Sequence, residues 1–242
     1  MAAFLVAAFS NDHYIFSNVH YRCGVASIGF RNSESKIKEK IMKTLVKAGR
    51  PTGFDTDHAL DVAMRLFWER GYEGTSMADL SQAMGIHPSS IYAAFGDKQA
   101  LFALAAKRYA DVPAQYMARA LEQPTLRGFL LAAFDNTVEF LAAKDHPSSC
   151  FTLTGAIACG VDTKPAKVLM REMRLENEAA IKARLLKARK AAEFPKEENV
   201  EDYTRYLSSL LSGLAVQAAN GATRAELKRT AEVALRHLGI ER

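Results

Sequence analysis

The chain has 242 residues, 49% of them hydrophobic, and a formal net charge of +5. That is ample apolar material for one large or two modest domains, and mild basicity favours a polyanionic partner without requiring one. Three cysteines, Cys23, Cys150 and Cys159, are too few and too scattered for a disulfide framework or a zinc site, which points to a reducing cytoplasm, and no apolar run approaches the roughly eighteen residues of a membrane span.

Residues 1–41 fit poorly with the rest of the chain. Met1 to Phe9 is apolar but lacks the basic lead-in of a signal peptide, and Ser10, Asn11 and Asp12 come too early for a cleavage signal. The segment reads either as an extension without fixed structure or as residues upstream of a true start at Met42. Lys43, Lys47 and Arg50 then form a short basic arm, free to lie along phosphates or to reach into a minor groove. A solvated tail is the alternative. From Met42 to Asp111 eight Lys/Arg stand against eight Asp/Glu, so any attraction to DNA must come from where the charges sit.

A first helix is expected from Thr56 or Asp57 to Gly71, with Ala59, Ala63, Leu66 and Phe67 on one face and with Trp68 and Tyr72 as packing residues. From Thr75 to Lys98 the pattern is of two short helices at a sharp angle. Ser76 is placed to cap the first, with Asp79 reaching back, and Gly85 is placed to end it in a left-handed conformation. Pro88 suits the opening turn of the second. Leu80, Ala83 and Met84 then oppose Ile86, Ile91 and Phe95 across the corner. This is the spacing of a helix-turn-helix whose second helix, Pro88 to Phe95, is shaped for a DNA major groove.

The run from Ala59 to Phe67, with Gly71-Tyr72, Thr75-Ser76, Gly85-Ile86, Ser90-Ile91-Tyr92, Phe95 and Lys98-Gln99-Ala100-Leu101, resembles the N-terminal domain of TetR/AcrR-type transcriptional regulators. The resemblance implies an all-α homodimer. Residues 42–111 would bind an operator, usually as a repressor, and 112–242 would form a helical domain for a small-molecule inducer and for dimerisation. Pro88, Ser89 and Ala93 are the expected contacts to base edges. Thr75 and Ser76, at a helix start, favour phosphate. The resemblance adds Tyr92 and Lys98 as phosphate contacts. His87 stands where Ser or Thr is more usual, which leaves open whether it caps the helix, meets phosphate or does neither. Ala93 and Ala94 replace the bulkier pair usual in that family, a smaller surface that should shift which bases are read.

A helix from Asp97 to Asp111, ended by Val112-Pro113, is expected to join the two parts as a short lever. Beyond it, Leu126 to Ala143 carries Leu130, Phe134, Val138 and Leu141 on one side and is broken at His146-Pro147-Ser148-Ser149. Cys150 to Cys159 is nearly all apolar and should be buried. Lys164 to Ala192 reads as a long helix whose basic side is a solvated face, with a second nucleic-acid surface as the alternative. The resemblance, together with bundle interiors being common sites for apolar ligands, implies a pocket between these helices lined by some of Phe129, Phe134, Phe151, Met170 and Met173, although for any one of them plain core is the better reading. Cys150 and Cys159 admit a redox-sensor reading or an inert one, and neither has a basic residue within its own turn.

Glu197 to Ala219 and Thr223 to Leu238 form a final pair around an Asn220-Gly221 turn, with Thr223 and Glu226 as a second capping box. Tyr203, Tyr206, Leu207, Leu210, Leu211, Leu214, Leu227 and Leu235 are candidates for meeting a twin subunit in a four-helix bundle. No zinc helix, nucleophile turn, phosphate loop or dinucleotide fingerprint is present, and Asp145-His146 lacks a nucleophile partner. The expectation is a non-enzymatic regulator without cofactor or metal that binds operator DNA and an unidentified inducer; the alternative is an adaptor that binds ligand but has lost specific DNA binding.

Overall fold

A computed structural model describes residues 53–112, 114–155 and 164–240. Lys43, Lys47, Arg50, Cys23, Cys159 and the whole of 1–41 lie outside these ranges. Asp55 opens the first helix, α1 (Thr56–Arg70), by accepting from the backbone N–H groups of Asp57 at 3.0 Å and His58 at 3.1 Å, and Gly71 closes it at φ 72°. The helix buries Ala59, Ala63, Leu66, Phe67 and Trp68. Against it pack α2 (Met77–Met84), α3 (Pro88–Phe95) and α4 (Lys98–Asp111), and the centre of this core is Phe67, Leu80, Ile91, Leu101 and Phe102, none of them exposed. Met84 and Ile86 pack on its edge as expected, but Ala83 is exposed. It lies about a quarter-turn from the Met77, Leu80 and Met84 stripe, at roughly 100° of rotation per residue.

The lever α4 is fastened to α1 by a two-pronged ion pair, with Arg108 Nε donating to Asp61 Oδ1 at 2.7 Å and Nη2 to Oδ2 at 3.0 Å. Partial exposure limits what that pair contributes to stability, but its fixed fork sets the register of the two helices.

Six further helices make up the rest: α5 (Gln115–Leu121), α6 (Leu126–Ala142), α7 (Phe151–Thr154), α8 (Lys164–Lys190), α9 (Val200–Ala219) and α10 (Arg224–His237). Thr125 caps α6, Asn199 caps α9, and Thr223 with Glu226 forms the expected capping box on α10 after a turn at Gly221 (φ 90°). Leu130, Phe134, Val138 and Leu141 of α6 enter a core shared with α8, α9 and α10. The basic side of α8 is not wholly solvated. Arg184 is buried, with its guanidinium 5.6 Å from the Phe129 ring centre and Nη2 donating to the Gln123 carbonyl at 3.2 Å.

The segment between α6 and α8 is bonded to the end of α1. Trp68 Nε1 donates to the Ser149 carbonyl at 3.2 Å, Tyr72 N–H donates to the Gly155 carbonyl at 2.8 Å, and Arg65 donates to the Asp145 carbonyl. Aromatic rings fill the space beside these bonds: Trp68 stacks on His146 at 4.9 Å and meets Tyr109 edge-on at 4.9 Å, and Phe151 stacks on Phe102 at 5.5 Å and Tyr109 at 5.3 Å. Gly155 sits where a Cβ would lie 2.7 Å from the Phe151 carbonyl oxygen and 3.3 Å from Met170 Sδ, so no side chain fits there unless its neighbours move. No helix among the described residues is long and apolar enough to cross a membrane, and no cluster of three His, Cys, Asp or Glu among them could hold a metal.

Candidate nucleic-acid interface

The two-helix corner is fixed by the side chains that the sequence placed there. Ser76 Oγ accepts from Asp79 N–H at 3.0 Å while the Asp79 carboxylate accepts from Ser76 N–H at 2.8 Å. The Ser76 hydroxyl also donates to the Asp79 carboxylate at 2.5 Å, and this bond, with that from the Ser76 N–H and the charge of Arg70 at 3.6 Å, holds the Asp79 carboxyl below its ordinary value. Gly85 ends α2 in the left-handed region at φ 67°, ψ 26°, and Ser81 Oγ donates across the turn to the Ile86 carbonyl at 2.6 Å. Pro88 then starts α3, and its buried residues, Ile91 and Phe95, lock the helix to the core.

What remains outward on α3 is small and polar. Ser89 and Ala93 are exposed, Pro88 is half-buried, and Tyr92 keeps 49% of its surface accessible. This is an edge that can approach base pairs closely, with a phenol at its margin long enough to reach a phosphate. His87 takes the first of its possible roles: it is the N-cap of α3, with Nδ1 accepting from Ser89 N–H at 3.4 Å and lying 2.9 Å from the Ser89 hydroxyl. A neutral ring that accepts at Nδ1 carries its proton on Nε2, so an N–H donor is left on the exposed side chain.

Lys98, at the start of α4, lies with its ammonium 4.3 Å from the centre of the Tyr72 ring, a contact that orients it. Tyr72 itself packs on Phe67 at 6.2 Å and Phe102 at 5.0 Å, as a packing residue should. Thr75 departs from expectation. It is completely buried, and its hydroxyl donates to the Gly71 carbonyl at 2.8 Å, so it secures the turn after α1 and has no surface left for phosphate. Ser76 is exposed, but its hydroxyl is already committed to the cap.

Behind this unit, a cavity of about 130 Å³ lies among α4, α5, α6, α7, α8 and α9. Tyr109, Leu141 and Ile181 contribute apolar wall, and Arg174, Glu178 and Ser208 contribute polar wall. None of Phe129, Phe134, Phe151, Met170 and Met173 lines it. The first four are at most 1% exposed inside the two cores, and Met173 packs on the edge of one. Cys150 is half-buried and borders the cavity, where its sulfur accepts from the Tyr109 hydroxyl at 3.6 Å and lies 3.1 Å from the Thr152 hydroxyl. Burial holds the Tyr109 phenol well above its ordinary pKa, so this side chain stays neutral.

The candidate dimer residues divide into two sets. Leu207, Leu211, Leu214, Leu227 and Leu235 point into their own subunit and are at most 9% exposed. Tyr203 and Leu210 are partly buried at the rim, and Tyr206 is exposed. The surface stripe is therefore Tyr206, Leu210, Gly213 and Val216 on α9 with Val233 on α10; Val216 and Val233, 52% and 44% exposed, do not stand out in the sequence pattern.

Residues 59–105 match the profile of bacterial regulatory proteins of the tetR family. The HTH-type transcriptional repressor ComR of Escherichia coli K12 is 30% identical over 190 residues, 78% of this chain and 90% of that one. The uncharacterised HTH-type transcriptional regulator YezE of Bacillus subtilis 168 is 31% identical over 163 residues, 66% of this chain and 84% of that one. Among solved structures, a cysteine mutant of the TetR-family regulator CifR, complexed with 26-base-pair operator DNA, superposes with a TM-score of 0.75 at 31% identity, covering 78% of this chain and 98% of that one.

Proposed function

Because this chain belongs to the TetR family of bacterial transcriptional regulators, we propose that it is a ligand-responsive repressor, a homodimer that grips a palindromic operator and releases it when a small molecule fills the cavity beside α4. The carrying observation is the outward edge of α3. His87, Ser89, Tyr92 and Ala93 stand on a rigid corner with little of their surface used by the fold. That ComR is named a repressor and that CifR was solved on operator DNA support this use of the corner. Lys43, Lys47 and Arg50 would add phosphate contacts ahead of α1, and Tyr92 and Lys98 would flank α3 with two more.

Two copies of α3 about 34 Å apart read successive major grooves of one face of DNA, which is why a twin subunit matters. The apolar stripe of α9 and α10 is the surface for it. Release comes from geometry shared with the cavity. Tyr109 is both a cavity wall and a residue of α4, and α4 is bound to α1 through Arg108 and Asp61. A ligand that fits better when α4 is tilted draws the two recognition helices out of groove register, with a coupling of about 1 to 3 kcal/mol.

Fluorescence anisotropy on a selected duplex tests the DNA contacts. Tyr92→Phe should weaken binding at least about tenfold in the dimer, since each half-site then lacks one charge-assisted hydrogen bond. Lys98→Ala should make the slope of log affinity against log salt shallower by about 0.9 for each phosphate it no longer neutralises. Wild-type affinity and slope in both folded variants would contradict these contacts.

A further inference from the structure

At about 130 Å³, the cavity is slightly smaller than the roughly 150 Å³ apolar void that accommodates one benzene molecule. Its volume therefore suits a single ring. Its polar lining is specific. Ser208 Oγ is shielded from solvent and has no hydrogen-bond partner among the described residues, yet Ser208 lines this space. Buried hydroxyls are normally paired; this one is closed to solvent as it stands, and a turn about its single χ1 bond would present it to a ligand's polar group in the space that Ser208 lines.

Charge narrows the class further. Arg174 and Glu178 stand one turn apart on α8 with opposite signs, and the Arg174 guanidinium already donates to the Thr152 carbonyl. An ion entering here would give up its hydration to a wall with no net charge, an expensive exchange, whereas a neutral molecule would not. Tyr109, Leu141 and Ile181 supply the apolar surface that a ring would cover.

We infer, building on the reading of this cavity as the inducer site, that its ligand is a neutral one-ring compound bearing a hydroxyl, a phenol or a cyclic alcohol, held by Ser208 Oγ. The ring would lie against Tyr109, which makes the ligand part of the packing of α4. Donor and acceptor at once, Ser208 can either receive the ligand's O–H or give its own.

Isothermal titration calorimetry of the full-length chain with phenol, cyclohexanol, toluene and benzoate tests this. Phenol or cyclohexanol should bind once per subunit, and benzoate should bind far more weakly. Ser208→Ala should weaken the hydroxylated ligand about 3- to 10-fold, leave toluene unchanged, and leave the melting temperature of the free chain equal or higher, since it removes an unpaired buried hydroxyl. Benzoate binding as tightly as phenol, an affinity indifferent to Ser208→Ala, or no binding of either hydroxylated ring would overturn the inference.

DNA affinity measured in the same samples separates this inference from the repressor reading. Ser208-dependent binding that leaves DNA affinity unchanged upholds the ligand class and contradicts induction. Intact DNA binding with no uptake of either hydroxylated ring removes the ligand class and leaves the DNA reading standing.

Discussion

Val216→Asp is expected to turn a dimer into a folded monomer and to lower operator affinity by about a hundredfold or more. Val216 is 52% exposed, so the subunit loses little by its replacement, and its far-UV spectrum and melting should stay near wild type. In an isologous interface each residue near the two-fold axis meets its own copy or a close neighbour of it. Two carboxylates brought together there would have to give up water without a partner. The DNA consequence is larger than the local one. Joining two half-site readers makes the second binding event intramolecular, a gain of about 10² to 10⁴ in affinity that a monomer forfeits. Light scattering coupled to gel filtration, with anisotropy on the same samples, reads both effects. A Val216→Asp protein that remains dimeric would move the interface off this stripe; Tyr206→Asp, about three turns away on the same helix, checks the assignment independently.

Trp68→Ala carries the largest expected cost in stability, about 3 to 5 kcal/mol, against a typical total of about 5 to 15. The indole is 1% exposed and lies among Tyr109 of α4, Phe140 of α6 and His146 of the loop beyond it, at ring separations of 4.9, 5.8 and 4.9 Å. Its Nε1–H also satisfies the buried Ser149 carbonyl. Removing it opens a void where the end of α1, the lever and the segment before α7 meet, and leaves that carbonyl unpaired. Trp68→Phe keeps ring contacts and loses the bond, so it should fall between the two, about 1 to 2 kcal/mol below wild type. Denaturant titration resolves all three proteins. A loss under about 1 kcal/mol for Trp68→Ala would mean that the neighbouring rings collapse into the space, and that the junction is softer than its packing implies.

The helix-turn-helix is legible in the sequence because its determinants act within a few residues of one another. Ser76 and Asp79, Gly85, and Pro88 each impose a boundary through local hydrogen bonding or backbone freedom, and the structure obeys them to the residue. His87 shows the limit: its residue type leaves the role open, and only the placement of Ser89 N–H against Nδ1 makes it the cap. Thr75 misleads for a related reason. A threonine at a helix start resembles a phosphate contact until the path of the chain at Gly71 brings a carbonyl to its hydroxyl.

The C-terminal half is less legible. Helix α5 leaves no clear signal, since Ala114 offers no capping side chain and the helix is only 7 residues long. The apolar stripe of α9 is visible, but which edge of it faces outward depends on where α6, α8 and α10 pack, and periodicity carries no such information. For the phenylalanines and methionines, size and apolarity fit core and cavity wall alike, with core the better reading of each and the pocket suggested by the family resemblance. In the structure they are core, and the open space falls where Ser208, Arg174 and Glu178 interrupt the packing.

Selection of random duplex DNA on the full-length protein tests the central claim most directly, namely that two copies of α3 read sequence as a pair. The account predicts enrichment of an inverted repeat whose half-site centres lie about one helical turn, or a whole number of turns, apart, and loss of that enrichment in Val216→Asp. Recovery of unselected sequence, or of single half-sites with no preferred spacing, would contradict it and favour a ligand-binding adaptor that no longer reads DNA.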